Sequence, residues 1–120
     1  MSKIPRAPDG LGPSGRRLWR AILVDFELAE HEMSLLRQAC RVADLCDRLQ
    51  EVVDAEGPLT TTRLGEQKPH PGVVELRQQR LVLARLIVAL RVPLGDQEEA
   101  VPRGQRRALR GVYGITGSVS

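Results

Sequence analysis

Between Leu81 and Leu90 every side chain except Arg85 is apolar (LVLARLIVAL). A helix that is apolar on nearly all sides must be buried on nearly all sides. The pattern opens at Pro71, well suited to a first helical position, and stops at Val92-Pro93. A 120-residue chain with only three expected helices has too little material to surround such a run. The apolar segment therefore predicts self-association of the chain.

The partner of this helix is legible upstream. Periodicity predicts a long helix from about Ala29 to Glu56, with Glu30 and Glu32 near its positive end and Gly57-Pro58 after its last turn. Its apolar residues fall into two adjoining stripes, one through Met33, Leu36, Cys40 and Ala43, the other through Leu35, Val42, Leu45, Cys46, Leu49, Val52 and Val53. Together they make a face wider than one neighbouring helix covers. The link from Gly57 to His70 holds a threonine run, Gly65 and Pro69, which suits a loop or a small ragged β-hairpin. Two helices of about 40 and 31 Å, at about 1.5 Å per residue, then form an α-hairpin over 29–92 whose outer surfaces stay apolar. Packing of hairpin against hairpin in a ring or bundle is the economical solution, and a monomeric three-helix bundle is its competitor.

Ahead of the hairpin, residues 1–15 contain Pro5, Pro8, Pro13, Gly10, Gly12 and Gly15 and read as a flexible arm. A short helix over about 16–25 follows, with Ser14 as the expected N-cap. Leu18, Trp19, Ile22 and Leu23 form its apolar side, and Arg16, Arg17 and Arg20 its outer face. Residues 94–120 turn acidic, then basic and glycine-rich, and read as a flexible tail. The expected fold is all-α: a short basic helix and a long hairpin within 16–93, between basic flexible ends.

Few residues could support catalysis. Cys40 and Cys46 stand six apart on different faces of one helix, so they neither bridge nor share a metal, and both read as small buried apolar groups in a reducing compartment. His31 and His70 lie on different elements, without metal-ligand spacing around them. No phosphate-binding GxxxxGK[ST] occurs. The sequence predicts no enzyme, no cofactor and no metal. Lys3 and Arg6 have no apolar run behind them, and no uninterrupted apolar stretch reaches the roughly 18 residues of a membrane span. A chain neither exported nor membrane-spanning is expected.

Charge supplies the functional clue. Lys3, Arg6, Arg16, Arg17 and Arg20 face only Asp9 within the first twenty residues, and Arg103, Arg106, Arg107 and Arg110 face no acid within the last twenty. Between them, nine basic side chains meet fourteen acidic ones, and the whole chain carries +3. Two arginine-dominated ends suit an anionic polymer; solubilising tails without a partner are the bland alternative.

An ordered set of residues resembles a known family. Leu18-Trp19-Arg20 in a short basic helix is followed by Leu35-Leu36-Arg37-Gln38-Ala39 and Asp44-Leu45-Cys46-Asp47-Arg48-Leu49 in a long one. Gly57, His70-Pro71, Glu75-Leu76-Arg77-Gln78-Gln79-Arg80, Leu86 and Leu90 complete the set. Together they resemble the small subunits of phage DNA-packaging terminases, particularly those of tailed phages of actinobacteria, over about residues 16–93. Arg110-Gly111-Val112-Tyr113-Gly114 looks like the closing segment of the same proteins.

The resemblance implies a non-enzymatic, ring-forming factor in the host cytoplasm. Such a factor binds double-stranded viral DNA at the packaging start site and recruits and regulates the large ATPase-nuclease subunit. One short helix is too little for an independent helix-turn-helix, which leaves Lys3, Arg6, Arg16, Arg17 and Arg20 as the expected DNA surface. The expected oligomer interface is Leu35, Val42, Leu45, Leu49, Val52, Leu81, Val82, Leu86 and Val88. Arg103, Arg106, Arg107 and Arg110 with Tyr113 are assigned to the large subunit, because Leu109, Val112 and Tyr113 give that segment apolar anchors. The competing reading is a helical adaptor or structural oligomer that holds protein partners with its tails and binds no DNA. A transcriptional regulator is disfavoured, since no recognition helix with a scaffold helix can be placed.

Overall fold

The computed structural model describes residues 3–92. In chain order they form α1 (Pro13–Leu23), α2 (Glu30–Glu56), β1 (Leu59–Thr61), β2 (Gln67–Pro69) and α3 (Pro71–Leu90). The architecture is mostly helical, and the link expected as a loop or a small ragged β-hairpin forms one small antiparallel ribbon, with Leu59 opposite Pro69, Thr60 opposite Lys68 and Thr61 opposite Gln67. Threonines favour the extended backbone, while Gly65, at φ 87°, makes the turn that L side chains resist.

Each long helix stops and starts for a local reason. At the end of α2, Gly57 takes φ 86° and its N–H donates to the Val53 carbonyl at 2.7 Å, after which Pro58 cannot continue the helix. The His70 ring opens α3: Nδ1 accepts from the Gly72 N–H at 2.8 Å, so Nε2 carries the ring proton and donates to Glu56 Oε1 at 2.6 Å. One imidazole thereby caps α3 and ties it to the last residue of α2.

The core lies where α1, the first half of α2 and the end of α3 converge. Trp19, Ile22, Leu23, Phe26, Leu36, Cys40, Leu90 and Val92 form one buried cluster with Leu11; fully burying a leucine contributes about 2 kcal/mol. Leu11 corrects the reading of 1–15 as a flexible arm. Ile4 and Ala7 also pack against this cluster, and the Trp19 indole N–H donates to the Pro5 carbonyl at 2.8 Å. A buried indole needs an acceptor, and the arm supplies it.

Helix α1 begins at Pro13 rather than near residue 16 and ends at Leu23. Its start lies against Asp44 and its end against Leu36, so it runs antiparallel to α2. Residues 94–120, read as a flexible tail, lie outside the described residues.

Candidate nucleic-acid interface

What fixes the arginine-bearing helix is a carboxylate from α2. Asp44 is buried, and its Oδ2 accepts from the Gly12 N–H at 2.6 Å while Oδ1 accepts from the Gly15 N–H at 2.7 Å. These two amides belong to the first turn of α1, where the helix dipole favours a negative charge. Ser14, expected as the N-cap, instead lies inside the helix and donates its hydroxyl to Asp47. Gly12 holds the cap position with no side chain to serve it, so the capping group comes from 32 residues away.

The same junction explains Gly15. A Cβ there would stand 2.4 Å from Asp44 Oδ2 and 2.8 Å from the Cys40 carbonyl oxygen. Only glycine lets α1 lie this close to α2. Cys40, beneath the contact, is fully buried; burial, reinforced by the Asp44 charge and opposed by Arg41, pushes its thiol up to about 12. It stays protonated and acts as a packing group, as its sequence context predicts.

The Asp44 carboxylate accepts from the Gly12 and Gly15 amides and so already occupies the place that an anion would take at the start of α1. Any phosphate contact must come from side chains. Arg16, Arg17 and Arg20 are all exposed. Arg16 donates one guanidinium N–H to the Leu11 carbonyl, and Arg17 donates to Ser14 Oγ at 3.2 Å. Each guanidinium has five N–H donors, so both retain donors directed at solvent. Among the described residues none of the three pairs with a carboxylate.

Lys3 and Arg6 are brought alongside by the Pro5–Trp19 hydrogen bond rather than left on a free arm. Arg6, nearly fully exposed, lies 3.7 Å from Asp9, an ion pair that offsets part of its charge. Sequence reasoning missed Arg37, Arg41 and Arg48 on α2, although their spacing of four and seven places them within about 40° of one another on the helix surface.

The residues expected to build an oligomer interface divide. Leu35 packs against the protomer's own core, half-buried, and Val42, Leu45, Leu49 and Leu86 are also half-buried. Val52, Leu81, Val82 and Val88 are exposed, Leu81 at 54% and Val88 at 73%. Val74, also exposed, precedes Leu81 and Val88 at intervals of seven, so the three form a single stripe along the outer side of α3. Arg103, Arg106, Arg107, Arg110 and Tyr113, assigned to the large subunit, lie outside the described residues.

Among the described residues no group of three or more His, Cys, Asp or Glu could hold a metal ion, and no helix is long and apolar enough to cross a membrane. In comparisons with known proteins, no family model, no curated protein and no solved structure matches the chain.

Proposed function

We propose that this chain is a phage terminase small subunit: a non-enzymatic oligomer that binds double-stranded viral DNA at the packaging start site and recruits the large ATPase-nuclease subunit in the host cytoplasm. The observation that carries the reading is α1, a helix locked to α2 by Asp44 that presents Arg16, Arg17 and Arg20 together without a carboxylate partner among the described residues. An arginine held on a docked helix loses less entropy per phosphate contact than one on a free chain.

The uncovered stripe Val74, Leu81 and Val88 supports assembly. Assembly in turn strengthens DNA binding. A closed oligomer multiplies each subunit's basic helix, so weak phosphate contacts add into one binding surface. Specificity then arises from the spacing of these surfaces and the bend they impose on DNA.

The test is duplex DNA binding by the full chain across a salt series. Replacing Arg16, Arg17 and Arg20 with alanine should weaken binding at all sequences and lower the slope of log affinity against log salt by about 3, close to one per lost phosphate contact. Absence of wild-type binding at low salt would leave the adaptor reading in its place. Deleting residues 103–120 should spare DNA binding and abolish stimulation of the packaging ATPase.

A further inference from the structure

We infer that the DNA-contacting surface continues from α1 onto α2 through Arg41 and Arg48, with Arg37 at its edge; this rests on the DNA-binding reading above. The placement follows from two contacts that orient the helices. Asp44 faces the first turn of α1, and Asp47 meets Ser14 on one flank of that contact. At about 100° per residue, Arg41 and Arg48 project from α2 on the flank opposite Asp47. On α1, Arg16 and Arg20 project on the side opposite Ser14. Because the helices run antiparallel, these two flanks coincide, and the arginines of both helices line one side of the junction.

The stripe has the charge and reach that a phosphate backbone requires. Arg41 and Arg48 are exposed and pair with no carboxylate among the described residues. Arg37 is less available, since its side chain is 35% exposed and stands 3.9 Å from Glu30. Of the acids beside these arginines on α2, Asp44 has its charge directed into the α1 amides and Asp47 accepts from Ser14 on the opposite flank, while the exposed Glu51, one turn beyond Arg48, marks the end of the stripe. From Arg37 to Arg48 the helix rises about 16 Å, which spans about five phosphates at 3.4 Å of duplex axis per phosphate on one strand. Arginine is the side chain whose planar donor fork matches phosphate oxygens. A protein partner would call for apolar anchors among these arginines, and none of the exposed large hydrophobics lies between Arg37 and Arg48.

The experiment compares two double variants of the full chain that remove equal charge. Arg41→Gln with Arg48→Gln should make the salt slope of duplex DNA binding shallower by about 2, so that the loss of affinity between 50 and 200 mM salt shrinks by about tenfold. Arg63→Gln with Lys68→Gln, on the ribbon beyond the far end of α2, should leave the slope unchanged. All four side chains are exposed, and matching helical circular dichroism and melting temperature establish that each variant is folded. An unchanged slope in the α2 variant overturns the stripe while the α1 triple variant, still impaired, upholds the DNA-binding reading. Equal effects from both pairs overturn it as well, because net charge alone would then explain binding. No duplex binding by the wild-type chain overturns the DNA-binding reading and the stripe together.

Discussion

The junction between α1 and α2 and the outer side of α3 are built from similar materials and finished differently. At the junction Leu23, Leu36 and Cys40 are fully buried, and each buried polar group named there has a partner. On α3, Val74, Leu81 and Val88 repeat at intervals of seven and remain open. The chain encloses one apolar face and leaves the other uncovered, and an uncovered apolar stripe is the kind of surface that an interaction partner buries. On the proposed reading the first region sets the stability of the single chain, and the second is where copies of the chain would pack. Substitutions in the two should have separable effects.

The largest effect on protomer stability is expected at Asp44. Asp44→Ala leaves the Gly12 and Gly15 amides without acceptors under a packed helix, at about 1–3 kcal/mol for each buried donor. Urea unfolding should show a loss of about 3 kcal/mol. Gly15→Ala should approach it, since the new methyl group meets Asp44 and the Cys40 carbonyl and the helices must separate. A loss under 1 kcal/mol in both variants would mean that α1 is held by its apolar side alone.

Val88→Asp should do the reverse. The side chain is 73% exposed, so the protomer's unfolding free energy should move by no more than about 0.5 kcal/mol. In an assembled protein the same charge would be buried unpaired, at several kcal/mol by order of magnitude, and the mass should fall towards that of a monomer. Val82→Asp should act similarly, and a variant that unfolds without dissociating would contradict the division between the two regions.

How much of this was legible in the sequence follows from how local each signal is. Helices α2 and α3 and the ribbon were readable because periodicity, Gly57-Pro58 and His70-Pro71 act within a few residues of the bonds they control. The start of α1 was misread because its cap is Asp44, on another helix, and no local pattern distinguishes that aspartate from a solvated one. The arm was misread for the same reason: proline and glycine content signals freedom, while the Trp19 indole that binds Pro5 lies 14 residues away. The arginine cluster on α1 was visible as composition, but its continuation along α2 required the orientation set by Asp44 and Asp47.

A smaller change is expected at His70. His70→Ala removes the acceptor for the Gly72 N–H and the link to Glu56, which should cost about 1 kcal/mol, as for other lost helix caps. His70→Asn should recover part of it by supplying a new acceptor to the cap. Equal losses in both variants would place the effect in the Glu56 link instead.

A further effect lies in alkaline solution. Burial pushes the Cys40 thiol from 9.0 up to about 12, and Cys46 is also raised, chiefly by burial. Above pH 9 the unfolded chain loses thiol protons that the folded chain keeps, so stability is fully present below that pH and declines as pH rises towards 12. The urea midpoint of the wild type should fall between pH 8 and pH 10.5 by more than that of Cys40→Ala. Parallel curves would show that the thiol is not enclosed at the junction.

The division between a closed junction and an open α3 face is tested most directly by the native mass of the full chain at micromolar concentration, from light scattering or native mass spectrometry. The account predicts one closed oligomer, a fixed multiple of 13.3 kDa, that Val88→Asp dismantles. A clean monomer with helical content and cooperative unfolding intact would contradict it.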